Sequence, residues 1–328
     1  MNLVAATQLL TSPHRPIFMK AISFNRFGGP DVLEVVEMPL PRPRPGEALI
    51  RVLAAGVGHG DCKLRQGALQ AHFKLMLPKT PGRDGIGLLE ALANDAHGLV
   101  AGDRVAFLTP HDVPGSCAEF VVRPATGLVA VPTALETTTA MAVTQPGCCA
   151  WMTLEAAGLR SGERIVVHGA GGAIGSLVVQ LAKHIGAQVI ATCRSTSRDL
   201  VLALGADQVI CFDREDPFAQ RGDADVVFDP VGGEVHRRSY PLLKPGGRMV
   251  YLVAEPIVDL SAQYGVHTIR ARIEDRTEVL AAVLQLACEG VLRPQPPRIL
   301  PLERCAEAHR LLESGRQGPG RIILAVSQ

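Results

Sequence analysis

The stretch RIVVHGAGGAIGSLVVQLAKHIGAQVIAT, residues 164–192, decides the fold. It opens on an apolar run, RIVVH (164–168), and glycines then recur at Gly169, Gly172 and Gly175. Beyond them Ile174, Leu177, Val178, Leu181, Ala182 and Ile185 fall on one helical face. A second apolar run, QVIAT (188–192), closes the unit. Strand, glycine-rich turn, helix and strand in that order seat a dinucleotide. The glycines allow a tight turn, and the first N–H groups of the helix face a diphosphate. Gly169, Gly171, Gly172, Ala173, Ile174 and Gly175 are therefore the predicted diphosphate-facing residues.

The end of the second strand chooses the dinucleotide. A carboxylate there would hold a ribose 2′-hydroxyl and repel a 2′-phosphate. The run is ATCRSTSR (191–198), with no acid before Asp199. Arg194 and Arg198 supply positive charge, and Ser195 and Ser197 supply hydroxyls. The predicted cofactor is NADPH.

Working outward, 328 residues with 47% hydrophobic content support two cores. A formal net charge of +1, with both signs intermixed, gives no electrostatic reason to expect nucleic acid or a membrane as partner. No apolar run reaches the roughly 20 residues of a spanning helix. Eight cysteines without a CxxC pair read as reduced thiols, and a cytoplasmic location is expected. Residues 1–18 lack the pattern of a secretion signal and read as an N-terminal extension.

Residues 19–133 carry short β-rich runs: KAISF, LEVVEM, EALIRVLAAGV, GIGLLEAL, DRVAFL and AEFVVRP. The proline-rich loop from Pro39 to Gly46 separates the second run from the third, and no helical period is evident between runs, which predicts a β-barrel. Residues 134–257 alternate strand and helix, the mark of a parallel sheet, with DVVFD (225–229) and RMVYL (248–252) as further strands. Residues 258–328 hold helices near 276–289 and 302–314 and a last strand, RIILAV. This segment is expected to finish the sheet and return to the first domain.

Taken together, the MKAISFNRFGGPDVLEVVEMPLPRPRPGEALIRVLAAGV opening, LPKTPGRDGIG, GDRVAFL, Ala150–Trp151, HGAGGAIG, LGAD, DVVFDPVGG, LKPGGR and the closing GRIIL resemble the zinc-independent quinone oxidoreductase branch of the medium-chain dehydrogenase/reductase superfamily. The resemblance implies a GroES-like β-barrel catalytic domain, a doubly wound Rossmann domain, and a cleft between them where NADPH meets an electron-poor substrate. It also implies a homodimer, with the RMVYL region or the following strand near the interface.

His59 and Cys62, beside Asp61, raise the question of a metal. Zinc-dependent relatives place a cysteine directly after the AAGV run and a His-Glu pair in the following turn. This chain has Gly58 and Arg83-Asp84 there, and arginine does not ligate zinc. No metal is predicted. Without one, alkoxide-forming reduction of simple ketones is poorly supported, whereas quinones and enones spread the incoming charge. Hydride transfer to quinones or α,β-unsaturated carbonyl compounds is the expected activity.

The resemblance also marks single positions. Lys63 stands where relatives often carry a cleft tyrosine, with Arg65 just beyond, and these are the expected catalytic residues. Gly58 replaces a common asparagine, Cys149 a cofactor-contacting threonine, and Phe212 a tyrosine that lines the 2′-phosphate. Leu252, Val253 and Ala254 end the strand that runs beside the nicotinamide. Tyr240 and Lys244 form a YxxxK pair out of its usual context, since Pro241 interrupts it, and read as a helix end. The Cys148–Cys149 pair and His168 and His184 read as packing residues. Two alternatives stay open: an enoyl reductase of a biosynthetic pathway, and a non-catalytic NADPH-binding sensor or structural protein.

Overall fold

The structure is a computed structural model that describes residues 17–70, 74–92, 98–219, 222–253 and 256–327. The chain divides into two compact units. The first comprises Met1–Gln145, Asp275–Gln285 and Pro296–Gln328, and the second Pro146–Glu274 and Leu286–Gln295.

The first unit is β-rich. Strands β1 (Phe18–Ser23) and β2 (Glu34–Pro39) pair antiparallel. Of the expected extension 1–18, all but Ile17 and Phe18 lies outside the described residues, and Phe18 already belongs to β1. After the proline-rich loop come β3 (Glu47–Val57), helix α1 (His59–Gln66), β4 (Asp84–Leu92), β5 (Arg104–Leu108), β6 (Phe120–Pro124) and β7 (Leu128–Ala130). Helix α1 corrects the expectation of strands alone. Its eight residues are too few for a period to stand out. They are bounded by Gly58, whose N–H is held by the Asp61 carboxylate, and by Gly67 in the left-handed region.

The long helix α2 (Thr137–Ala157) carries the chain into the second unit, so the boundary falls within a helix rather than ahead of it. Then follow β8 (Arg164–Val167), α3 (Ala173–Ile185), β9 (Gln188–Cys193), α4 (Arg198–Ala203), β10 (Gln208–Cys211), β11 (Ala224–Asp229), α5 (Gly233–Ser239), β12 (Leu243–Tyr251), α6 (Ser261–Tyr264) and β13 (His267–Arg270). Among the described residues these six strands form one parallel sheet in the order β10-β9-β8-β11-β12-β13. Beneath one face Val166, Ile190, Ile210, Val227 and Met249 pack with Tyr240, and the Tyr240 and Tyr264 rings stack at 5.7 Å. β13 is an outer strand of the sheet, so the RMVYL run in β12 is an interior strand.

Helix α7 (Thr277–Cys288), β14 (Arg298–Pro301), α8 (Cys305–Glu313) and β15 (Ile322–Ala325) complete the chain. β15 pairs antiparallel with β3 and extends the first unit's larger sheet. Its Arg321 is the anchor. The guanidinium reaches the Asp84 carboxylate with both Nη atoms and also donates to the Met141 carbonyl at 3.0 Å. A Cβ on Gly56 would stand 1.9 Å from Arg321 Nη2, so β3 needs glycine where the ion pair crosses it.

Candidate functional site

In the second unit the glycine-rich turn is built for close approach. Gly169 has φ +63°, and a Cβ at Gly175 would lie 2.2 Å from the Gly169 carbonyl oxygen. At Gly171 a Cβ would meet Ser197 at 2.9 Å. Gly172 ends the turn as the N-cap of α3, and the N–H groups of the helix's first turn, from Ala173 and Ile174 on, open at that end. The Ala170 N–H bonds the Thr192 carbonyl at 3.0 Å, tying the turn to β9. This is the shape a diphosphate requires, and any side chain at Gly171 or Gly175 would fill it.

Two supports were not legible in the sequence. Gln295 is 3% exposed and donates from Nε2 to the Gly171 carbonyl at 2.8 Å, holding the turn from a segment more than a hundred residues away in the chain. The His168 imidazole is buried between the Thr192 hydroxyl, 3.0 Å from Nδ1, and the Ser239 hydroxyl, 2.9 Å from Nε2. Burial pushes its pKa down to about 4, so it is neutral and structural. His184 is exposed on α3.

The rim of this turn gathers most of the residues expected to choose the nucleotide. Arg194 is exposed, with its guanidinium carbon 5.6 Å from the centre of the exposed Phe212 ring. Arg198 opens α4 and lies 3.7 Å from Asp199. Ser195 is committed elsewhere: its N–H and its hydroxyl donate to Asp213 at 2.8 and 2.7 Å, which holds that carboxyl below its usual range. Asp213 is the acid that a linear reading missed. Cys211 is the register partner of Cys193, so residues just beyond β10 come abreast of those just beyond β9.

Leu252 and Val253 follow β12 and are half-buried, and a Cβ on Gly232 would lie 3.0 Å from Val253. Ala254 lies outside the described residues. Cys149 and Cys148 are buried in α2. Asp229 ends β11, accepts from the Val231 and Gly232 N–H groups at 2.8 and 2.9 Å, and meets His236 Nδ1 at 2.8 Å. Burial alone would raise the pKa of Asp229, but the His236 bond and the backbone N–H groups outweigh it and leave it lowered. The Tyr240 hydroxyl is engaged with His236, Thr268 and Asp259, while Lys244 pairs with Asp225. Tyrosine and lysine therefore serve separate structural partners.

In the first unit His59 and Cys62 part company: His59 is exposed at the start of α1, whereas Cys62 is 3% exposed. Asp61 is buried and accepts from Gly58 N–H at 2.9 Å and Gly82 N–H at 3.1 Å, joining α1 to the turn before β4. Arg83 donates to the Thr109 carbonyl and to Asp275, and Asp84 is taken by Arg321. Among the described residues no group of three or more His, Cys, Asp or Glu side chains is arranged to hold a metal ion. Lys63 is half-buried on α1. Arg65, by contrast, is fully buried, with Nη2 on Glu313 of α8. Its charge is paired inside the unit.

The chain matches two family models: residues 44–133 an alcohol dehydrogenase GroES-like domain, and residues 204–324 a zinc-binding dehydrogenase. The quinone oxidoreductase of Lama guanicoe is 30% identical over 325 residues, covering 93% of this chain and 97% of that protein. The 2-methylene-furan-3-one reductase of Solanum lycopersicum is 31% identical over 336 residues, covering 98% and 82%. Among solved structures, the quinone oxidoreductase from Coxiella burnetii superposes with a TM-score of 0.87 at 30% identity, covering 95% of this chain and 100% of that one. A GroES-like domain and a parallel-sheet nucleotide domain define a medium-chain dehydrogenase/reductase. The chain belongs to the quinone oxidoreductase family of that superfamily, whose members bind a nicotinamide cofactor.

Proposed function

We propose that this protein is an NADPH-dependent, zinc-independent reductase of quinones or α,β-unsaturated carbonyl compounds. The observation that carries the reading is the Gly169–Gly175 cradle, with the Arg194 guanidinium exposed over Phe212 at its rim. When bound, the reduced nicotinamide supplies hydride. The protein's part is to bind, orient and stabilise charge. The helix N-terminus and the glycine turn receive the diphosphate, and Arg194 and Arg198 offer charge to a 2′-phosphate. Leu252 and Val253 are the described residues proposed to line the nicotinamide, and Cys149 keeps the bulk, but not the hydroxyl, of a cofactor contact.

Positions that would ligate zinc are occupied by Gly58, by Arg83 bound to Thr109 and Asp275, and by Asp84 bound to Arg321. With no Lewis acid in that arrangement, the favoured substrates are those that delocalise the charge they acquire. Lys63 is the proposed cation beside the developing quinolate or enolate oxygen, and Arg65 is not, because Glu313 already neutralises it. We place the protein in the cytoplasm as a homodimer whose sheets meet at the β13 edge.

A second reading of the cofactor rests on Asp213. Its carboxylate occupies the Ser195 hydroxyl and N–H, and an acid at that rim favours the ribose 2′-hydroxyl of NADH. An enoyl reductase with the same cofactor chemistry, or a non-catalytic NADPH binder, is separated by turnover. Purified protein is mixed with NADPH and a panel of quinones, enones and enoyl thioesters, and cofactor oxidation is followed at its absorbance band. Quinone or enone turnover that survives a chelator, with negligible oxidation of simple alcohols, supports the proposal. One zinc per chain with chelator-sensitive alcohol oxidation refutes it, and tight NADPH binding without any turnover selects the binder.

A further inference from the structure

A cavity of about 610 Å³ lies wholly within the first unit. Strand β6 lines it through Phe120, Val122 and Arg123. Met19 and Met38 of the β1–β2 pair, Leu108 at the end of β5 and Leu280 of α7 supply further apolar walls. Small-molecule sites commonly enclose roughly 300–1,000 Å³ between apolar walls, with a few polar groups that fix the ligand. The glycine turn, Lys63, Cys149, Leu252 and Val253 are not among the lining residues. The nicotinamide chemistry proposed above therefore makes no use of this cavity.

Arg123 sets its chemistry. The residue is 4% exposed. Its Nη2 donates to the Thr109 hydroxyl at 3.1 Å and to the Pro114 carbonyl at 2.8 Å, and Nη1 donates to the Val122 carbonyl at 2.8 Å. Nε is buried without a partner. A guanidinium carries five N–H donors, so donors remain to be satisfied. All three acceptors are neutral, as is the Phe107 ring, whose centre lies 5.1 Å from the guanidinium carbon. Among the described residues no carboxylate forms an ion pair with Arg123. The two acids of the lining are engaged elsewhere, Asp275 with Arg83 at 3.3 Å and Glu47 with the Arg44 N–H at 2.8 Å. A buried charge is ordinarily paired, because leaving water is costly for an ion.

The surroundings add to the positive charge. Lys79 Nζ donates to the His111 and Val113 carbonyls, so it and Arg123 hold the same loop. Burial first, and the field of Arg123 next, push the Lys79 pKa down to about 8. Burial, with the fields of Arg83 and Lys79, pushes His111 down to about 4. Burial lowers Arg123 to about 10 against the opposing field of Asp275, which leaves it a cation at neutral pH. Guanidinium is also the side-chain cation whose planar fork matches a carboxylate.

We propose that this cavity binds an apolar monocarboxylate, with the acid group paired to Arg123 and the hydrocarbon body against Met19, Met38, Phe120, Val122 and Leu280. One unpaired cation suits one carboxylate, and the apolar walls disfavour a second charge. A neutral ligand of the same shape leaves Arg123 unpaired, and a cationic one is repelled by it.

The test uses the full chain and decanoate as probe, with 1-decanol and decylammonium as ligands of the same body and different head group. Titration calorimetry is expected to find one decanoate per chain, bound roughly tenfold or more tightly than decanol, the worth of a charge-assisted bond. Decylammonium is expected not to saturate. Arg123→Met erases the preference for the acid over the alcohol. Val122→Trp keeps the cation and narrows the cavity, so it weakens acid and alcohol together, a result that does not depend on the folding of the Arg123 variant. Crystals of the wild-type protein grown with 10-bromodecanoate are expected to place the bromine, located by its anomalous scattering, inside the cavity. Equal affinity for acid, alcohol and amine overturns the proposal, as does the absence of saturable decanoate binding. So does a bromine site elsewhere, or a cavity filled in the crystal by a segment of the same or another chain.

Discussion

Replacing Arg321 by Met tests what holds the C-terminal strand to the barrel. The Asp84 side chain is 0% exposed and that of Arg321 5%, so the variant leaves a carboxylate in the interior, held among the described residues by the backbone N–H of Gln145 at 3.1 Å. Breaking a buried pair from one side costs about 3–5 kcal/mol, because the surviving charge keeps its desolvation penalty without its partner. For a unit of this size that corresponds to roughly 6–20 °C in melting temperature. Asp84→Leu alone leaves the guanidinium stranded and costs a similar amount. The double variant Asp84→Leu/Arg321→Met buries no charge and loses the bonds to Met141 and Gln145, about 1 kcal/mol each. Its cost of about 2 kcal/mol falls well short of the sum of the singles, a coupling of several kcal/mol. Scanning calorimetry is the assay, because the single tryptophan, Trp151, lies in the second unit and reports on the other core. Single variants that each cost under about 1 kcal/mol, or costs that simply add in the double variant, refute the reasoning.

Three further outcomes follow from the second unit. Arg194→Ala is expected to weaken NADPH binding by about 1.5–3 kcal/mol and NADH binding little, and titration calorimetry showing equal loss for both sinks the 2′-phosphate assignment. Gln295→Ala frees the Gly171 carbonyl and is expected to weaken either nucleotide by about 1 kcal/mol while thermal stability changes little, so unchanged affinity removes Gln295 from the site. His168 is neutral when folded, with its pKa pushed down to about 4 by burial, and regains 6.5 when unfolded. Between those values the unfolded chain binds the extra proton, so this contribution is intact above pH 6.5 and is lost as pH falls toward 4, by roughly 3 kcal/mol at most. His168→Gln should flatten that part of the urea-midpoint profile relative to wild type, and an unchanged slope contradicts the assignment.

The local pattern of residues 164–192 was enough for the nucleotide turn. A helix period, glycine spacing and β-branched runs act over one or two turns of chain and are written in consecutive residues. The strands of the barrel were legible for the same reason, while α1 was not, being one short helix whose stop signals are two glycines. What decided the fate of single charges was distance in space. Arg65 and Lys63 look alike in the sequence, yet helical rotation turns Arg65 inward onto Glu313 and leaves Lys63 half-exposed. Asp213 meets Ser195 only because β10 lies in register beside β9, and Gln295 reaches Gly171 only because the chain returns to the second unit after α7. Hydrogen bonds and ion pairs act over about 3 Å, and sequence spacing carries no record of which distant residues the fold brings within that reach.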